Sequence, residues 1–180
     1  MKTKFEYAMN AIHYTLYKEE VWSNKKIGQI ANCLIAVLSY IPFIRKYKKE
    51  NNNQQEKELY DLFYGKEKGL SISLAHHLFG AFYSGYPMLL SFIIVGFIIR
   101  YCKEGQDIAI FMASFIPIGI CYIPAYNAVF AKDRYLKYFK QFEKQDENWH
   151  KRWKRITLLF CIGSVLMFFI SLGVVTLILS

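Results

Sequence analysis

Four stretches of this chain carry no formally charged side chain: residues 27–44 (18 residues), 69–99 (31), 108–131 (24) and 156–180 (25). A surface helix of a water-soluble protein keeps a polar, charged face along its length. A bilayer core of about 30 Å instead demands about 20 apolar helical residues at a rise of about 1.5 Å each. Three of the stretches exceed that length and the first falls just short of it. An apolar content of 54% also excludes a disordered chain. The expected fold class is an all-α integral membrane protein. It is a small bundle of about four transmembrane helices, at 27–44, 69–99, 108–131 and 156–179, with amphipathic cytoplasmic helices. The whole of 1–180 forms a single membrane domain. An alternative keeps three spans and makes 27–44 re-entrant or interfacial, because that stretch is short and carries Gln29, Asn32 and Ser39.

Charge between the stretches sets the orientation. Lys and Arg number five in residues 1–26, seven in 45–68, two in 100–107 and nine in 132–155. Cytoplasmic loops collect basic residues, so 45–68 and 132–155 are expected in the cytoplasm and the 100–107 turn outside. If 27–44 crosses fully, the N-terminus lies outside; if it only dips in, the N-terminus joins the basic side. The first 26 residues show no apolar signal-peptide core, so the first stretch is expected to act as an uncleaved anchor. The net charge of +9 then reads chiefly as a topology signal.

The polar segments have helical periodicity of their own. Phe5, Met9, Ile12 and Leu16 recur at i, i+4, i+7 and i+11 in an amphipathic helix over 1–26. With Tyr7, Tyr14 and Tyr17 beside that face, the helix suits the headgroup layer or a partner protein. In 132–155, Tyr135, Tyr138, Phe139 and Phe142 share one stripe, and Trp149, Trp153 and Ile156 another. Aromatics interleaved with cations can bind nucleic acid. Cationic anchors and aromatic belts beside a membrane explain them more simply, and nucleic acid is disfavoured. Arg134, Lys137, Lys140, Trp149, Lys151, Arg152, Trp153, Lys154 and Arg155 are therefore candidates for contact with anionic lipid headgroups or a protein partner.

Inside the apolar stretches the candidate functional polar residues are His76, His77, Tyr83 and Tyr86. Gly80, Gly85 and Pro87 follow the histidines and mark a possible helix break; Pro117, Gly119 and Pro124 mark a kink in the next span. A proline frees a backbone carbonyl, which in lipid needs a partner, so the Pro117–Pro124 face is expected to point at other helices or a cavity. Ser164 and Ser171, seven residues apart, share a face suited to helix packing within the bundle or between subunits. If the helix from 69 to 99 is unbroken, the histidines lie at headgroup depth.

Catalytic patterns are missing. There is no HExxH, GxSxG, GxxxxGK[ST] or GxGxxG, and no carboxylate inside any apolar stretch. Cys33, Cys102, Cys121 and Cys161 form no CxxC pair and read as small apolar residues. No cofactor and no metal is expected. The expected function is that of a non-enzymatic multi-pass protein of the bacterial inner membrane. It is pictured as an oligomeric pore-type or accessory component acting with partners, of the kind found in phage-defence loci or toxin–immunity pairs, although no motif carries that last association. The alternative is a small transporter or membrane-embedded enzyme using His76 and His77. The charge argument makes one direct prediction. A cysteine introduced at Asn52 should react only with reagents admitted to the cytoplasmic side, and one at Gln106 only from outside; the reverse pattern in oriented vesicles inverts the topology.

Overall fold

The computed structural model describes residues 3–38, 63–64, 69–102 and 106–180, apart from the side chains of residues 30–38 and 106. The described residues form helices α1 (Lys4–Leu38), α2 (Leu70–Tyr101), α3 (Gln106–Val129), α4 (Arg134–Phe142) and α5 (Glu147–Leu179), with a 3₁₀ turn at Ala131–Asp133. No strand occurs among them. The chain divides into two compact units, residues 1–15 with 77–180, and residues 16–76.

Helices α2, α3 and α5 contain 32, 24 and 33 residues, about 48, 36 and 50 Å at the helical rise. Each is long and apolar enough to cross a membrane. The first uncharged stretch behaves differently. The amphipathic segment and the start of 27–44 are one uninterrupted helix, α1, and residues 39–44 and most of 45–68 lie outside the described residues.

In the larger unit, α2 pairs antiparallel with α3. Phe79 meets Phe130 at 5.8 Å between ring centroids and Tyr83 meets Tyr122 at 6.0 Å. Helix α5 runs parallel to α2, and here the backbones come close. A Cβ built on Gly85 would lie 2.1 Å from the Ser164 hydroxyl, one on Gly163 2.7 Å from the Tyr86 hydroxyl, and one on Gly96 3.2 Å from Ile178. Small residues at such crossings let two helices gain dispersion contacts that larger side chains would prevent. Ser164 and Ser171 are buried in this seam, so the stripe they form packs within the bundle. At the far end Arg100 donates to the carbonyl of Ile178, one of the last four of α5 that lack a helical donor. Its charge also complements the helix dipole there.

The break that Gly80, Gly85 and Pro87 left open as an alternative does not form: α2 is continuous from Leu70 to Tyr101 with Pro87 inside it. The physical reason for Gly85 is close packing against Ser164. In α3, likewise continuous through Pro117 and Pro124, the expected orientation of the proline face is corrected. Gly119 and Pro124 are exposed and Pro117 half-buried, because α3 packs through a narrow alanine edge, Ala113, Ala125 and Ala128.

The chain leaves α3 through a corner in which Lys132 (φ 58°) and Asp133 (φ 50°) are both left-handed, a conformation uncommon for residues with a Cβ. It redirects the chain into α4, whose Tyr135, Tyr138, Phe139 and Phe142 are all buried. Asp146 then caps α5 by accepting from the Trp149 N–H at 3.2 Å.

The glycines provide a contrast to measure. Gly85→Ala should destabilise the protein in detergent by about 1–3 kcal/mol through overpacking. Gly119→Ala meets nothing within 4 Å and should be stabilising by about 0.5–1 kcal/mol. Equal effects in thermal unfolding would contradict the packing described.

Candidate functional site

The first fifteen residues build the most buried feature of the larger unit. Asn10, Ala11, His13 and Tyr14 are 0–1% exposed. The Asn10 side-chain amide donates to its own helix at the Glu6 carbonyl (2.8 Å) and to the Ala128 carbonyl (2.9 Å). Ala128 belongs to the last turn of α3, where carbonyls lack helical donors, so α1 supplies a cap that α3 does not provide for itself.

Next to this bond, His13 is enclosed by four rings. Phe79, Phe130 and Tyr135 approach edge to face at 5.5–5.6 Å, and Phe139 lies tilted at 5.4 Å. Edge-to-face contacts set positive ring edges against negative ring faces. Tyr7 closes the other side. Its ring meets Tyr138, Phe142 and Trp153, and its hydroxyl accepts from the Trp149 indole N–H at 2.9 Å. Trp149 stacks on Phe142 at 4.8 Å. The result is an aromatic head assembled from the start of α1, α4 and the start of α5.

This head revises two expectations. The N-terminal helix was expected to lie on headgroups or a partner; residues 4–15 instead pack on their own chain, while Phe5 stays exposed. Trp149 and Trp153, expected to face lipid or a partner, are half-buried in the intramolecular cluster. The cations alongside them do face outward: Arg134, Lys137, Lys140, Lys151, Arg152, Lys154 and Arg155 are all exposed. Arg134 pairs loosely with Glu6 (3.6 Å) and Lys151 with Glu147 (2.8 Å). Exposed pairs of this kind contribute about 0–1 kcal/mol.

Asn10 and His13 were missed by sequence reading. The stripe Asn10, His13, Tyr14, Tyr17 recurs at i, i+3, i+4, i+7 just as the apolar one does. Amphipathicity counts an Asn and a His as outward-facing, so that stripe does not register as a buried face.

The polar residues of α2 have local partners. His76 Nδ1 lies 2.6 Å from the Ile72 carbonyl, one turn back on the same helix, and His77 is exposed. Tyr83 donates to the Cys121 carbonyl of α3 (3.2 Å), and Tyr86 to the Phe160 carbonyl of α5 (2.8 Å). Cys121 directly follows Ile120, the residue whose carbonyl Pro124 leaves without its usual helical donor. Between these two tyrosines a lateral groove of about 470 Å³ opens, lined by Tyr83, Tyr86, Pro87, Cys121 and Phe160. Among the described residues, no three His, Cys, Asp or Glu side chains converge in a way that would hold a metal.

Comparison with protein-family models, with curated proteins and with solved structures finds no match. Asn10→Ala should lower stability by about 1–3 kcal/mol, since it orphans a buried carbonyl. Thermal unfolding in detergent measures the loss, and an Asn10→Ala variant as stable as the wild type would remove the capping role.

Proposed function

We propose that this chain is a non-enzymatic accessory protein of a bacterial cytoplasmic membrane. It is anchored by α2, α3 and α5 and acts through its folded aromatic head. In this reading the head, which includes residues 4–15, and residues 45–68 both face the cytoplasm, so 27–44 dips into the membrane without crossing it. The observation that carries the proposal is the head itself. Its aromatic residues are turned inward around Asn10 and His13, leaving an outward rim of seven exposed cations. A rim of this kind draws anionic headgroups or an acidic partner at about 1 kcal/mol per cation.

The polar side chains along the membrane helices support the same reading. Tyr83, Tyr86 and Arg100 each bond a backbone carbonyl of a neighbouring helix, which is the work of scaffold residues. The outer surface of the bundle is also apolar, with Ile108, Phe111, Phe115, Leu159 and Leu177 60–75% exposed. Such a surface suits lipid, or the lipid-facing side of a partner or second copy.

The test is a mass measurement in lipid nanodiscs with co-purification from the native membrane. A defined homo-oligomer or a stoichiometric membrane partner is expected. A strict monomer without a partner counts against an accessory role. In parallel, the double variant H76A/H77A should retain the wild-type phenotype. Loss of phenotype with intact folding would move the assignment to a transporter or enzyme built on those histidines.

A further inference from the structure

The lateral groove and the basic start of α5 are placed to act on one molecule. The groove is walled by two rings, a proline, a thiol and Phe160. Both tyrosine hydroxyls that border it are already donated to the carbonyls of Cys121 and Phe160. What it presents is therefore an apolar slot, and a volume of about 470 Å³ lies within the range of small-molecule sites, roughly 300–1,000 Å³.

The α5 wall of the groove is Phe160, and Gly163, over which the Tyr86 hydroxyl sits, lies on the same flank. Stepping back at helical spacing from Gly163 gives Leu159, Ile156 and Arg152, the i−4, i−7 and i−11 positions. Arg152 therefore stands on that flank of α5, eight residues before Phe160, or about 12 Å along the axis. It is exposed and forms no ion pair among the described residues. Arg155 lies nine residues before the buried Ser164 and so on the opposite face of the helix. One leaflet of hydrocarbon is about 15 Å deep, half of the bilayer core. The separation of cation and slot thus matches the span from the phosphate of a phospholipid to the middle of its acyl chain.

We infer that the groove seats an acyl chain of one anionic phospholipid of the cytoplasmic leaflet, with its phosphate held by Arg152. The inference rests on the membrane reading given above and narrows its basic rim to one lipid site. Charge complementarity selects the occupant: a zwitterionic lipid presents the same chains but cancels its phosphate with a choline, whereas phosphatidylglycerol leaves the phosphate free for the guanidinium group.

The experiment uses the full chain in nanodiscs of phosphatidylcholine with increasing phosphatidylglycerol. Retained lipid is counted by native mass spectrometry after mild delipidation. Cys121 accessibility is followed in a C33S/C102S/C161S background with a membrane-permeant maleimide. Phosphatidylglycerol should be retained at one copy per chain and should slow Cys121 labelling. R152Q, at an exposed position that leaves the packing intact, should weaken that preference about fivefold, and R155Q, on the opposite face of α5, should leave it unchanged. Cys121→Trp, which fills the slot, should abolish one-copy retention without releasing the protein from the disc. Equal retention of the two lipids, or labelling indifferent to phosphatidylglycerol, overturns the inference. Failure to enter nanodiscs at all overturns the membrane reading itself, so the two failures are distinguishable.

Discussion

A backbone carbonyl without a donor is the constraint around which this structure is arranged. In an apolar surrounding such a group has no water to turn to, and leaving it unpaired costs several kcal/mol. Four side chains donate to carbonyls across helix boundaries, two at helix ends that lack a helical donor (Ala128 and Ile178) and two at mid-helix carbonyls that also have their own i+4 amide (Cys121 and Phe160). Asn10 caps Ala128, Tyr83 reaches Cys121, Tyr86 reaches Phe160, and Arg100 reaches Ile178. Each donor belongs to one helix and each acceptor to another, so the bonds that satisfy the backbone also fix which helices are neighbours. Three of the four originate on α2, which makes that helix the hub of the bundle.

The seam between α2 and α5 shows the complementary device. Here side chains are removed: at Gly85 so that the backbone approaches Ser164, at Gly96 to admit Ile178, and at Gly163 to admit the Tyr86 hydroxyl. Dispersion between closely apposed helices takes over the cohesive role that burial from water has in the aromatic head. The protein therefore uses two cohesive strategies in one unit: small residues and carbonyl donors along the spans, large interlocking rings in the head.

The long helices were legible in the sequence because absence of charge over many residues has few physical explanations. The stripe of Tyr135, Tyr138, Phe139 and Phe142 was equally readable, and it is the buried face of α4. What covers that stripe was not readable, since periodicity names a face without naming its partner. The same limit applied to Ser164 and Ser171, whose burial inside the bundle depends on Gly85 far away in the chain. The glycines and proline after His77 kept a break open as an alternative because local propensity penalises them. Packing against Ser164 and Tyr122 overrides that preference and keeps α2 whole. Asn10 and His13 were hidden for a further reason. Their polarity argues for exposure until a carbonyl and a set of rings are brought to them by residues distant in the chain, all but Phe79 more than a hundred positions away.

That separation has a consequence for biosynthesis. Asn10 and Ala128 are 118 residues apart, and Tyr7 and Trp149 are 142 apart. At translation rates of about 5–20 residues per second, the N-terminal helix leaves the ribosome roughly 7–28 seconds before its indole partner exists. During that interval Ile12, Tyr14 and the imidazole of His13 have no native surroundings. The chain thus makes early an aromatic segment whose cover is synthesised last, so the head can close only after the start of α5 exists.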